Sequence, residues 1–247
     1  MAFQISFGGL TIDGIASWED SSPSRVVPQI FPRRHGAVVP KQSFLGPRTV
    51  IVNGEVDKTS EAALKSYLSS LSAILSDKGR DKLILRDDSR FLNASKTGFS
   101  HGFHSDRAPA LAARFAIEFF CDDPFWYSTT QQTLTQAGIA SGTNFTVTNN
   151  GGAKTPPRIV VSGVSGAGVF VQLTNTTTGL NVKFSGDIAV GQLITFDHTN
   201  FKCLKAGGSA LAGFTGTFFE LIAGAQNLRY DGSGTATVVV EHLERWA

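Results

Sequence analysis

From Thr129 onward the chain is a succession of short segments in which apolar and polar residues alternate, each closed by Gly, Asn or Asp. NFTVTN, RIVVSG, GVFVQLTN, LNVKFSG, LITFDH, KCLKA, FFELIAG, NLRYDG and ATVVVEHL all read this way. Successive side chains on a strand point to opposite faces, so this period demands sheets with one face on a core. Closely spaced strands with no intervening helices predict a β-sandwich or jelly roll and argue against a parallel α/β fold. The stretch from Thr129 to Gly138 is polar and lacks core anchors. It predicts a linker and a division into residues 1–132 and 133–247.

The first half carries more charge and has a different order of parts. FQISFGGLTI and RTVIVNGEV read as strands, the latter with a turn at Asn53-Gly54. Between them, Trp18 to Gly46 holds Pro23, Pro28, Pro32 and Pro40. Proline removes backbone donors and fixes φ, which disfavours a helix or a central strand. Yet Val26, Val27, Ile30, Phe31, Val38, Val39, Phe44 and Leu45 are too apolar for a solvated loop. An extended arm lying on another body fits both facts; an edge hairpin of the same domain is the alternative. One amphipathic helix is predicted over about 60–78. Thr59 or Ser60 caps it, and Leu64, Tyr67, Leu68, Leu71, Ile74 and Leu75 form its core face. Lys78 and Gly79 close it with a cation and a C′ glycine. KLILRDDSRFLNA reads as strand, turn and strand, and ALAARFAIEFFCDD as a long strand ending at Pro124.

The 247 residues are 41% apolar and 17% charged, with a net charge of +2. The apolar content excludes wholesale disorder. The low charge fits a β-rich chain partly covered by partners, or an ordinary β-rich protein. No clustered positive charge marks a nucleic-acid binder. Cys121 and Cys203 are far apart in apolar settings, so two buried free thiols are expected. The first residues carry no basic n-region or long apolar run, and no membrane span is expected.

Catalytic constellations were sought and none holds together. His101 and His104 have only Asp106 close by, which is short of a zinc ligand set, and they read as surface residues. Asp87-Asp88 reads as a hairpin turn and Asp122-Asp123 as a strand terminator. Adjacent carboxylates on a strand point to opposite faces and cannot share a cleft. Gly163, Gly166 and Gly168 match neither a P-loop nor a dinucleotide fingerprint. The serines, Ser105 and Ser128 included, sit in no nucleophile elbow. No cofactor and no metal is expected.

Two segments and the order of parts resemble a known family. The run from Phe115 to Ser128 contains Asp123-Pro124-Phe125-Trp126-Tyr127. It is similar to the acidic-Pro-aromatic-x-Tyr signature that closes the N-terminal domain of siphophage distal tail proteins. The run from Phe219 through Asn227 and Thr237 to Trp246 resembles that family's terminal turn and last strands. Strand, proline-rich arm, strand, one helix, strands, signature and an all-β domain follow in the same order. The resemblance implies a mainly β chain: a sandwich-type N-terminal ring domain with one helix and an arm, then a galectin-like C-terminal sandwich. It implies a structural, non-enzymatic role in a hexameric ring at the virion tail tip. That ring would join the tail tube protein to a tail-associated hub protein. Its lumen would hold the tape measure protein and pass DNA, and its sandwich can carry receptor-binding proteins.

Phe31, Arg33, Arg34 and Phe44 in the arm, and Phe125, Trp126 and Tyr127 at the junction, are the candidate interface residues. Large rings suit an interface hot spot, and they equally finish a domain core. Two further readings of function stand beside the structural one. A virion carbohydrate-binding module is weakened because Tyr230 and Trp246 are the only Tyr or Trp after Tyr127. A glycosidase or peptidase lacks any supported catalytic set.

Overall fold

The structure is a computed structural model that describes residues 3–21, 24–25, 29–30, 37–38, 44–85, 89–103, 111–163 and 168–247. It divides into two compact units, one ending at Trp126 and the other running from Tyr127 to Trp246.

The first unit is a closed antiparallel ring of six strands rather than the expected sandwich. Its strands are β1 (Phe3–Phe7), β2 (Leu10–Ser21), β7 (Arg48–Asp57), β8 (Asp81–Leu85), β9 (Arg90–Phe103) and β10 (Ala112–Cys121). They pair in the order β10-β7-β2-β1-β8-β9, and β9 pairs back to β10. Closure depends on the length of β9. Leu92 to Ala94 face β8, and Ser95 to Phe103 face β10. Alternation fills the interior: Val50, Val52 and Val56 from β7, and Phe115, Ile117 and Phe119 from β10, are all buried. Phe7 and Phe119 meet there at 4.9 Å between centroids.

Asn53-Gly54 is not a turn, because β7 runs straight through it. A Cβ on Gly54 would lie 2.3 Å from Cζ of Phe115, so the glycine makes room for that ring. The helix α1 spans Glu61–Asp77, with Ser60 Oγ accepting from Ala63 N at 3.2 Å. Leu64, Leu68, Leu71 and Leu75 bury into the barrel core, while Ile74 is turned outward. Lys78 is the C-cap, and Gly79 has no left-handed φ. Instead of a glycine closure, Lys78 Nζ donates to Gly8 O.

The expected arm begins later than Trp18, because β2 extends to Ser21. Beyond it stand β3 (Ser24–Arg25), β4 (Gln29–Ile30), β5 (Ala37–Val38) and β6 (Phe44–Leu45). β3 pairs with β6 and β4 with β5, both antiparallel, nested in continuation of the Ser21↔Thr49 pairing of β2 and β7. The described residues of the segment therefore pair with one another, beyond the ends of two neighbouring barrel strands.

The second unit is a two-sheet sandwich, as the alternation predicts. One sheet has the order β12 (Gln132–Ile139), β22 (Ala236–His242), β14 (Arg158–Ser162), β17 (Ile194–Asp197), β18 (Lys202–Lys205), β19 (Gly208–Ser209). The other has the order β13 (Thr143–Asn149), β21 (Gly224–Gly232), β15 (Gly168–Asn175), β16 (Asn181–Ile188), β20 (Phe214–Gly216). Ile159, Phe196, Val238 and Val240 of the first sheet meet Val147, Leu173, Val182 and Leu228 of the second in one core.

Two expectations fail here. The supposed linker is β12, an edge strand paired with β22 from Gln132↔His242 to Ile139↔Ala236. Being at an edge, it contributes one buried apolar residue, Ile139, and so looks polar in sequence. FFELIAG is not a strand either; up to Gly224, where β21 begins, it is a connection whose one ladder contact is the bridge Thr155↔Leu221. No helix among the described residues is long and apolar enough to cross a membrane.

Candidate assembly surface

The signature segment is built around a buried cation in the first unit. After Cys121 the chain leaves β10, and Asp123 Oδ1 accepts the Phe125 amide at 3.1 Å, forming a tight turn around Pro124. Arg48, the first residue of β7, is 6% exposed. Its Nε donates to Pro124 O at 2.9 Å, and its Nη1 pairs with the Asp20 carboxylate. Its guanidinium lies 5.6 Å from the Trp126 ring centroid. Trp126 packs against the barrel core. Nearby, burial pushes the Cys121 thiol up to about 12, with Arg48 opposing and Asp20 adding to the rise. Such a thiol is inert near neutral pH.

Tyr127 belongs to the second unit, where β11 (Trp126–Ser128) and β23 (Arg245–Trp246) are neighbouring strands. The Ser128 amide donates to Glu244 O at 3.0 Å. The Arg245 guanidinium sits 5.3 Å from the Tyr127 centroid and reaches Lys154 O at 3.2 Å and Glu220 Oε1 at 3.6 Å. Phe125, Trp126 and Tyr127 are all half-buried. Trp126 and Tyr127 each carry a cation of their own unit, an arrangement suited to finishing a core. Sequence reasoning missed Arg48, Asp20 and Arg245. The visible trace of Arg48 was a lone cation opening an otherwise apolar strand.

Of the arm candidates, Phe31, Arg33 and Arg34 lie outside the described residues. Phe44 stands in β6, opposite Arg25. Asp87, Asp88, His104 and Asp106 also lie outside them.

Three hollows open on the described surface. In the barrel, Ala16, Gly54, Glu55, His101, Arg114 and Phe115 line an open groove of about 530 Å³. Arg114 and Glu55 pair there at 3.4 Å, and both side chains are exposed. His101 also borders a hollow of about 420 Å³ against Lys65, Leu68 and Ser72 of α1. In the sandwich, a polar hollow of about 320 Å³ is lined by Asn144, Thr146, Thr176, Asn227 and Arg229. Phe145, its one ring, is buried beneath it. Among the described residues no group of three His, Cys, Asp or Glu could hold a metal ion.

The sandwich also has an aromatic surface that Tyr and Trp counts overlook. Phe201 is 68% exposed and lies edge-on to Phe218 at 5.8 Å; Phe218 stacks on Phe214 at 4.6 Å.

The two units thus define a closed barrel with one helix, followed by an all-β sandwich. No family model and no curated protein matches the sequence. Solved structures do share the fold. The chain superposes on the SPP1 Dit protein (gp 19.1), described as a paradigm of the hub adsorption apparatus in phages infecting Gram-positive bacteria. The TM-score is 0.77 at 15% identity, over 99% of both chains. It also matches chains of the phage P2 baseplate in its activated conformation. With calcium, the TM-score is 0.52 at 9% identity over 98% of this chain and 97% of the other. With strontium, it is 0.51 at 10% identity over 97% of each.

Proposed function

We propose that this chain is a structural, non-catalytic component of a long-tailed phage tail tip, a distal tail protein acting as a hub. The observation that carries the proposal is the match to SPP1 Dit over 99% of both chains, barrel and sandwich together. It is supported independently by Asp123-Pro124-Phe125-Trp126-Tyr127, the segment on which the sequence resemblance rests.

In this reading the first unit builds a ring, hexameric by analogy, between the tail tube protein and a tail-associated hub protein. The lumen holds the tape measure protein and passes DNA, and the galectin-like sandwich projects outward to receptor-binding proteins. The arm over about residues 18–46, with Phe31, Arg33, Arg34 and Phe44 as its interface candidates, reaches a neighbouring copy. A contact between two different patches closes into a ring when its rotation fits. Arginines there suit charge-assisted bonds to a neighbour's carboxylates or carbonyls.

Native mass spectrometry and electron microscopy of the purified chain test this, with deletion of Ser24–Val39 as the variant. A folded chain that no longer assembles is expected. A wild type that stays monomeric at high concentration, or a ring that survives the deletion, contradicts the arrangement. A second reading, saccharide binding by the sandwich, has the polar hollow at Asn144, Thr146 and Asn227 in its favour. A glycan array with N227A as the control decides it.

A further inference from the structure

The sandwich buries an imidazole with nothing to hold its protons. His198 follows β17, opens the turn to β18 and is 2% exposed. Neither ring nitrogen has a hydrogen-bond partner. The carbonyls of Pro157 and Phe196 lie near the ring but outside hydrogen-bond geometry. Two phenylalanines enclose it, Phe219 at 4.6 Å and Phe218, edge to face, at 5.4 Å. Phe218 is the same ring that stacks on Phe214 and meets the exposed Phe201.

The turn that carries His198 is under strain and tightly tied. Phe201 has φ +53°, a conformation a bulky L-residue rarely adopts. Asp197 Oδ1 accepts the amides of Thr199 and Asn200, both at 3.0 Å, and Oδ2 accepts Asn200 Nδ2 at 2.8 Å. The imidazole therefore sits at the root of a strained surface turn. The tip of that turn leans on the ring that covers the imidazole.

We infer that His198 is an acid-operated latch: protonation of its ring releases the Asp197–Phe201 turn and uncovers Phe218 and Phe214 while the two sheets stay paired. An imidazolium carries two donors and a charge, and the site offers them only the Pro157 and Phe196 carbonyls, outside hydrogen-bond geometry, and an Asp197 carboxylate already engaged. The charged groups on the surrounding elements are already engaged. On its own turn Asp197 is held by Thr199 and Asn200. On β14 Arg158 pairs with Glu241 at 2.6 Å, and past Phe219 Glu220 faces Arg245 at 3.6 Å. Lys202 of β18 stands opposite Asp197. Burial accordingly holds the His198 pKa down to about 4, with the two carbonyls and Asp197 opposing weakly. Freeing one surface turn relieves the Phe201 strain, whereas unpairing a sheet would break the ladder from Arg158↔Asp197 to Val161↔Ile194. The turn is the part that yields.

The test uses the full chain with ¹³C-labelled histidine, titrated from pH 7.5 to 3.5. Imidazole shifts, binding of an apolar dye and far-ultraviolet circular dichroism are followed together. The expected result is a His198 midpoint near pH 4 and a several-fold rise in dye fluorescence at the same midpoint, with the β signal unchanged. His198→Leu, close in volume and unable to titrate, is expected to abolish that rise, and His242→Leu to leave it. If the leucine variant does not fold, the wild-type titration still decides. A His198 midpoint above pH 6, or dye binding only as the β signal collapses, overturns the latch. So does an unchanged rise in a folded His198→Leu protein.

Discussion

In the barrel, Arg48 is the one buried polar side chain among the described residues. In the sandwich, Ser128, Asn149, Thr155, Asn175, Thr195, His198, Gln226, His242 and Glu244 are all buried. The barrel closes its ladder on itself and fills the inside with aliphatic and aromatic side chains. The sandwich joins its sheets through irregular connections whose carbonyls and amides need partners, and buried side chains supply them. Asn149 shows how: its Nδ2 donates to Ala153 O, Leu221 O and Ile222 O, and its Oδ1 accepts the Gly151 amide. Asn175 and Gln226 form a second such clip at 2.9 Å. The Asn- and Thr-rich composition of the second half thus has an internal use, and does not by itself signal a polar surface.

The contrast can be broken at the barrel first. Gly54→Val drives a side chain into Phe115, and a cost of about 3 kcal/mol or more is expected. Thermal unfolding with hydrogen exchange should show the barrel weakened and the sandwich intact; equal weakening would mean that the units are not separable in stability. Asn149→Ala is the matching cut in the sandwich. It strands several buried carbonyls, so a loss of about 2–3 kcal/mol confined to residues 127–246 is expected. Arg48→Met leaves Asp20 and the Pro124 carbonyl unpaired, for about 2 kcal/mol, and Asp20→Asn added to it should recover part of that loss.

A pH series sharpens the contrast further. His198 and His242 are buried neutral, with pKa values lowered first by burial. The unfolded chain takes up their protons near the ordinary 6.5, and folded His198 does so only near 4. The unfolded state binds more protons between those values, so sandwich stability falls as pH drops from 6.5 to 4 and levels off below. The difference between those two values at His198 alone corresponds to a loss of about 3 kcal/mol. The barrel buries no histidine among its described residues and should not share that slope in denaturant titrations. Smallest is Ser60→Ala, which removes the α1 cap for about 1 kcal/mol, read by circular dichroism.

Much of this was legible in the sequence, for local reasons. The period of two in RIVVS and ATVVVEH places Ile159, Val161, Val238 and Val240 on one face, and all four are buried. The 3.6-residue period of α1 does the same for its leucines. What stayed hidden depends on distant partners. Gly54 looks like half of a turn until Phe115 is placed against it. β12 looks like a linker because an edge strand needs few apolar residues. Barrel closure rests on β9 pairing both β8 and β10, which no local pattern encodes. Arg48 and Asp20 meet only through the pairing of β2 with β7.

A sheet that ends must offer unpaired amides and carbonyls along its last strand, and foreign chains can add there. The six barrel strands each have at least two neighbours, so that ring leaves no such strand for recruitment. Chains that met through their barrels would thereby be kept from templating one another into fibres. Open backbone edges remain outside the closed ring, at the small ladders where Gln29–Ile30 faces Ala37–Val38 and at sandwich edge strands such as β12 and β13.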